Sequence, residues 1–408
     1  MTNKVNKTVV YVGNFLFPDG NAAGQRVVSN GKILKGIGYT PIFIGLSSDT
    51  KITNANLLDT ESIYDGMKSY CISSPRGIKD WLAYKYQFKK ISRFLESLEN
   101  LQIVIMYGAP TISLFGSLLR KWCLKNNVLL VADVVDWLSA SVGNLPYRIA
   151  KYFDTVYQKV YLNSRVDGVI TASEYLNEYY RRRGCQTVII PPLTDCNSLV
   201  PMINSKAKIS LVYVGIPFAI NGKKVKYDSY KDRLDKVVEC LGLLLEKGID
   251  FEFNIYGLTE QQYLLVVDKH QSILEKLRQN VFFNGSISHN EAVKKIAEAD
   301  FSIFFRDVNK VTLAGFPTKF IESISCGTPV ITTKTSDLQN YLIEGKNGFF
   351  IDIDDKNKMI EQMKNILSLD KDEILRMKKY SFDSKLFYYN NYTDRMKIFL
   401  TSIKLYAH

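Results

Sequence analysis

The chain has 408 residues, enough for two domains at the usual domain size. A hydrophobic fraction of 46% and a charged fraction of 23% exclude a disordered, collagen-like or coiled-coil chain. The net charge is +12, with +8 over residues 1–200 and +4 over the remainder. A basic surface of this kind suits nucleic acid, anionic lipid or a phosphorylated substrate, and equally a lysine-rich solvated surface. No run of 18 apolar residues occurs, so a bilayer-spanning helix is excluded. The strand-like run Val9–Val12 comes too early for a secretory signal, which leads us to expect a cytoplasmic protein. Six scattered cysteines without a CxxC pair read as reduced thiols. All three histidines, His270, His289 and His408, lie in the C-terminal part, so the first 269 residues cannot hold a His-based triad or a His-rich metal centre.

In chain order, residues 8–13 read as a strand ending in a turn, 23–36 as a helix and 41–45 as a second strand. Helical pattern returns over 78–98. Apolar runs at 103–107, 128–132, 169–172 and 187–190 complete the first half. Continuous apolar strands separated by helices are the mark of a parallel sheet covered on both faces. Pro191-Pro192 breaks the chain, and the polar stretch 193–208 reads as a linker. A second series follows, with strands at 210–215, 251–256, 281–283, 301–305 and 330–333, and helices near 233–247, 260–278, 289–298 and 317–326. The expectation is an α/β chain of two Rossmann-like, doubly wound domains: 1–192, and 209–384. The aromatic helical stretch 385–408 is expected to return to the first domain. A pair of such domains places a cleft between the C-terminal ends of the two sets of strands, so informative residues follow strands or open helices.

The densest signal is the stretch from Gly315 to Ile331. Pro317 suits a first helical position, Gly327 a helix C-terminus, and Pro329 a stop. Gly315, Phe316, Pro317 and Thr318 then form a turn into a helix N-terminus, whose free N–H groups suit a phosphate. Lys319 opposes the helix dipole in the first turn and calls for an anion there. Glu322, about one turn deeper, can accept ribose hydroxyls. Arg306 directly follows an apolar strand, where it can fork a phosphate or simply pair with Asp307. In the third segment, Lys231-Asp232-Arg233 opens a helix, with Lys223, Lys224 and Lys226 as competing cations. Gly13 and Gly24 border a first loop in which backbone can approach a ligand. Asp133 and Asp136 end another strand and are candidates for hydroxyl binding or acid–base work, Asp136 being slightly favoured. Lys79, Lys85, Lys89, Lys90 and Arg93, interleaved with Trp81, Tyr84 and Phe88, suit an anionic membrane surface about as well as a solvated cationic face over core aromatics. Arg181-Arg182-Arg183 lacks the context of a nucleic-acid module, and no nucleic-acid partner is expected.

Together, Phe17–Arg26, Thr171–Leu176, Val188–Pro191, Val281–Ser286, Phe316–Glu322 and Cys326–Ile331 resemble family 4 glycosyltransferases of the GT-B fold over nearly the whole chain. The resemblance implies a nucleotide-diphosphate-sugar donor in the C-terminal domain and a glycan or lipid-linked acceptor in the N-terminal one. It implies transfer with retention and no cofactor or obligate metal. By carry-over, Lys231 with Arg306 or Lys319 would hold the diphosphate and Glu322 the ribose. Gly285 and Ser286 would lie beside the base. Two positions depart from the family pattern. Ala314 stands where the first of two paired glutamates is usual, and the N-domain histidine is missing, with Asp133 or Asp136 in its neighbourhood. The implied role is assembly of bacterial surface polysaccharide. Two alternatives are a GT-B nucleotide-sugar epimerase and an inactive nucleotide-sugar-binding protein.

Overall fold

The computed structural model describes residues 7–47, 57–74, 87–108, 113–137, 145–194, 208–219 and 230–406. The chain divides into two compact units. The first comprises residues 1–195, 314–316 and 388–408, and the second 196–313 and 317–387. The crossing to the final helix thus falls at Phe387/Tyr388, three residues beyond the position expected from sequence. Residues 314–316 group with the first unit and not with the second, where sequence put them.

The first unit is built on an eight-stranded sheet. Its strands are β1 (Lys7–Gly13), β2 (Tyr39–Ser47), β3 (Ser62–Tyr64), β4 (Met67–Ser73), β5 (Leu101–Tyr107), β6 (Leu129–Val134), β7 (Gly168–Thr171) and β8 (Thr187–Ile189). Their order is β3-β4-β2-β1-β5-β6-β7-β8, and only β3 runs antiparallel to its neighbour. Val9, Val10, Ile103, Val104, Ile105 and Val131 are wholly buried, as continuous apolar runs in a sheet covered on both faces should be. The C-terminal helix Thr393–Tyr406 is part of this unit and buries Met396, Phe399, Leu400 and Ile403. A Cβ placed on Gly168 of β7 would come within 2.6 Å of the Phe399 ring, so glycine there lets the helix lie directly on the strand. Lys404 Nζ closes the contact by donating to Gln102 Oε1 of β5 at 2.7 Å.

The second unit carries six parallel strands: β9 (Ile209–Val214), β10 (Phe251–Tyr256), β11 (Val281–Phe283), β12 (Phe301–Phe304), β13 (Val330–Thr332) and β14 (Gly348–Phe350). Their order, β11-β10-β9-β12-β13-β14, is that of a doubly wound sheet in which the winding reverses between β9 and β12. In such sheets ligands sit outside the strand C-terminal ends at the reversal.

The continuous helix expected over 260–278 is broken. It forms Glu260–Leu264, a 3-10 turn at Asp268–His270, and Gln271–Lys276. The break turns His270 inward, where its ring lies 2.8 Å from Tyr263 Oη and 2.9 Å from Glu239 Oε1. Of the helix expected over 78–98, Gln87–Glu96 is described. It buries Ile91, Phe94 and Leu95, and Phe88 meets Phe115 edge to face at 5.8 Å. Phe88 is therefore a core aromatic. Lys79, Trp81, Tyr84 and Lys85 lie outside the described residues, as do Lys223, Lys224 and Lys226.

Candidate donor-binding site

The strongest concentration of buried charge in the second unit gathers at the β9/β12 reversal. The helix Thr318–Ser325 begins one residue later than sequence suggested: Pro317 is its N-cap, with extended backbone, and Thr318 is the first helical residue. Lys319 therefore stands in the first turn, as expected, and the anion its position called for is present. Its Nζ donates to Asp232 Oδ2 at 2.8 Å. Arg306, two residues past the strand Phe301–Phe304, donates Nε to Asp232 Oδ1 at 2.7 Å. Tyr213 of β9 adds its hydroxyl to Oδ2 at 2.8 Å. Asp232 is 0% exposed. Burial alone would raise its pKa, but the charges and hydrogen bonds of Lys319 and Arg306 outweigh this and hold it far below the ordinary carboxylate range.

Asp232 is the residue that sequence reasoning passed over. It was visible between Lys231 and Arg233, but that segment was read for its cations. Arg233 is spent on the protein itself. It donates to Asp235 through Nε at 2.9 Å and to Asp307 through Nη1 at 2.8 Å. The expected alternative pairing of Arg306 with Asp307 is thus replaced by Arg306–Asp232 and Arg233–Asp307. Among the described residues, neither Nη group of Arg306 has a protein acceptor. The pairing through Nε leaves its fork available to an anion.

The backbone around these charges is set by two glycines. Gly215 follows β9 with φ +130°, and a Cβ there would sit 2.7 Å from Lys319 Nζ. Gly257 follows β10 with φ +114°, and its Cβ would meet Gly215 O at 2.4 Å. Both positions need glycine for conformation and for space, so the chain floor beside Lys319 carries no side chains. Gly285 continues this floor after β11: its carbonyl accepts from Gly257 N–H at 2.7 Å. Ser286 is exposed in the same turn. Lys231 is exposed beside Asp232, and its backbone N–H donates to Pro217 O at 2.7 Å. Glu322 lies a turn deeper in the Lys319 helix. Burial raises its pKa against the lowering pull of His289, Lys319 and Lys231. Arg306, Lys319, Lys231, Gly285 and Glu322 are therefore brought to one end of one sheet.

The remaining sequence candidates lie in the first unit. Asp133 is 0% exposed and forms a salt bridge with Arg26, Nη2 to Oδ1 at 2.7 Å. Tyr11 Oη donates to Asp133 Oδ2 at 2.7 Å, and Arg26 Nη1 to Ile190 O at 2.8 Å. Asp133 is thus buried and held by Arg26 and Tyr11. Asp136 is exposed beyond β6. At Gly13 and Gly24 an added Cβ would strike backbone oxygens of Tyr107 at 2.3 Å and Leu16 at 2.2 Å, so close chain packing accounts for both glycines. Ala314 is wholly buried, and its carbonyl accepts from Ser173 Oγ at 2.7 Å. Phe316 is also buried. Among the described residues, no three His, Cys, Asp or Glu side chains converge as a metal site.

Residues 224–383, which contain every charge of this cluster, match the family model "Glycosyl transferases group 1". The second unit carries a group 1 glycosyl transferase domain. The chain as a whole has the GT-B fold. Sucrose-phosphate synthase from Thermosynechococcus elongatus superposes with a TM-score of 0.63 at 14% identity, covering 98% of this chain and 100% of that one. A glycosyltransferase from Rickettsia africae gives 0.64 at 16%, covering 98% of each. HepE from Anabaena, solved with UDP and glucose, gives 0.60 at 13%, covering 97% and 100%. None of the curated proteins matches this chain in sequence.

The buried carboxylate makes a pH-dependent contribution to stability. A depressed folded pKa stabilises fully above the unfolded value, about 3.9, and the contribution is lost as pH falls through the folded value. Asp232→Asn is expected to cost about 2 kcal/mol at pH 7, the scale of hydrogen bonds to charged groups. The gap between wild type and variant in urea unfolding should shrink steadily from pH 5 towards pH 2. A gap independent of pH would mean that Asp232 is not ionised in the folded protein.

Proposed function

We propose that this GT-B transferase takes a hexosyl group from a nucleoside diphosphate sugar and passes it, with retention, to a glycan or lipid-linked acceptor. The observation that carries this reading is the convergence of Lys319 and Arg306 on Asp232 at the strand reversal of a group 1 domain. Two cations share one carboxylate, so the cluster keeps a net positive charge and Lys231 adds to it. A diphosphate gains negative charge on its leaving oxygen as the sugar bond breaks. Fixed cations aimed at that oxygen are worth more in the transition state than in the ground state. Asp232 holds both side chains in place before the donor arrives, so little reorganisation is needed. The open fork of Arg306 and the side-chain-free floor at Gly215 and Gly257 are where the phosphates would lie, and Glu322 would accept the ribose hydroxyls. UDP is the favoured nucleotide, because HepE was solved with UDP and glucose and the pneumococcal O-GlcNAc transferase GtfA with UDP and GlcNAc. Retention and a role in bacterial surface polysaccharide assembly follow the family resemblance of residues 316–331.

The test is a thermal-shift screen over nucleotides and nucleotide sugars, followed by assay of UDP release with and without candidate acceptors. A UDP-sugar should raise the melting temperature and UDP should be released. No shift with any nucleotide and no release would end the reading. Glu322→Gln should weaken UDP affinity by about tenfold, one hydrogen bond's worth, and leave kcat within a few fold. Because lysine and arginine supply the positive charge, excess EDTA should leave transfer unchanged. Loss of activity on chelation, restored by magnesium, would show that the cations do not suffice.

A further inference from the structure

The helix Leu145–Val156 continues through a π-helical turn, Tyr157–Leu162, and its burial is inverted. Ile149, Tyr152, Phe153, Val156, Val160 and Tyr161 recur at three- and four-residue spacing, which places them on one face. Each of the six is between 38% and 66% exposed. Tyr157 lies on the same face, with Ser117 Oγ 3.1 Å from its hydroxyl. The polar side of the helix is the one turned to the protein. Asp154 accepts from Ser113 N–H at 2.9 Å and from its hydroxyl, and Thr155 and Gln158 are buried. Single exposed apolar residues are ordinary, but a continuous stripe along four turns of helix marks a surface that something covers.

The charges select the occupant. Residues 145–165 hold four cations and one carboxylate, Asp154, which faces inward; half-buried Lys151 shares that inward side, and Arg148, Lys159 and Arg165 remain beside the stripe. Lys159 lies 4.2 Å from the centre of the Trp137 ring, and the Arg165 guanidinium 3.7 Å from that of Tyr161, so cations and aromatics share the surface. Aromatic side chains rimmed by cations match a headgroup layer, where rings rest at the apolar boundary and cations meet lipid phosphates. A second copy is a poor match: two-fold pairing would set these cations against their own images with no exposed carboxylate from the segment between them. Among the described residues no helix is long and apolar enough to cross a membrane. We propose that helix 145–162 lies in the headgroup layer of an anionic bilayer, with its Ile149–Tyr161 stripe turned to the lipid. The proposal does not depend on the donor chemistry.

The experiment is co-sedimentation of the full chain with vesicles of phosphatidylglycerol and phosphatidylcholine, and with phosphatidylcholine alone, at 0.1 M and 1 M salt. Binding is expected to the anionic vesicles and to fall at 1 M, where the screening length drops from about 10 Å to about 3 Å. Tyr152→Ser with Phe153→Ser, and separately Arg148→Glu with Arg165→Glu, should each lower partitioning by on the order of tenfold or more. The four side chains are at the surface, so both variants should keep the wild-type melting temperature and the wild-type thermal shift with UDP. That second readout separates failure of docking from failure of the donor site. Protein left in the supernatant at 0.1 M salt, equal binding to both vesicle types, or partitioning unchanged in both variants would overturn the proposal. So would a concentration-dependent dimer that Tyr152→Ser with Phe153→Ser dissolves, which would assign the stripe to a second copy.

Discussion

Replacing Lys319 by alanine is expected to lower kcat/KM for the donor by roughly 30- to 1000-fold, a rise of about 2–4 kcal/mol in the barrier. The size follows from where the charge sits. Lys319 Nζ is 2.8 Å from Asp232, is largely shielded from water, and lies against a backbone floor with no side chains. On the proposed donor chemistry, a cation so placed acts at low effective dielectric on charge that grows during bond breaking. The protein should remain folded, because Arg306 and Tyr213 still satisfy Asp232. Lys319→Arg should not rescue the loss. A Cβ on Gly215 would already stand 2.7 Å from Nζ, so the broader guanidinium has no room to reach the same point. Steady-state kinetics with saturating acceptor decide the matter. Turnover within about threefold of wild type in Lys319→Ala would remove Lys319 from the reaction.

The largest stability effect is expected at Asp133→Ala, at about 3–5 kcal/mol. The truncation leaves the Arg26 guanidinium buried without its counter-charge, and strands the Tyr11 hydroxyl and the Asn30 amide that also point at the carboxylate. For a unit of this size, 1 kcal/mol corresponds to about 2–4 °C, so the unit's transition should fall by roughly 6–20 °C. Asp136→Ala, on an exposed loop, should stay within about 0.5 kcal/mol of wild type. Calorimetry on both variants distinguishes a structural aspartate from a surface one. An Asp133→Ala protein that melts with wild type would contradict the buried network.

The two sheets were legible because a strand covered on both faces must be apolar along its length. Val9–Val12, Ile103–Tyr107 and Phe301–Phe304 announce themselves in that way. β3 and β4 escaped because the edge strand β3 is exposed along its length and β4 mixes buried with half-buried and exposed residues. Their Asp65-Gly66 turn, with φ of +51° and +68°, was the available signal. The Lys319 helix was legible from Pro317, Gly327 and Pro329, whose backbone demands are local. Asp232 was not, because its importance lies in Arg306 and Lys319, 74 and 87 residues away, converging on it. Asp133 meets the same limit: a carboxylate after a strand has one sequence signature, whether it faces a ligand or a buried arginine. Helix 145–162 shows the converse limit. Spacing says which residues share a face, but only the packing of Asp154, Thr155 and Gln158 says which face is covered.

The helix Thr393–Tyr406 belongs to the first unit, although the whole second unit intervenes in the chain. Synthesis therefore cannot finish the first unit when its own strands are made. At about 5–20 residues per second, the roughly 190 residues of the second unit occupy the ribosome for on the order of 10 to 40 seconds. Through that interval β5 and β7 wait without the side chains of Phe399 and Ile403 that pack at Gly168. The second unit, by contrast, is complete before the helix that seals the first has been translated. A nascent chain of this design carries the first unit without its sealing helix until the second unit has been translated.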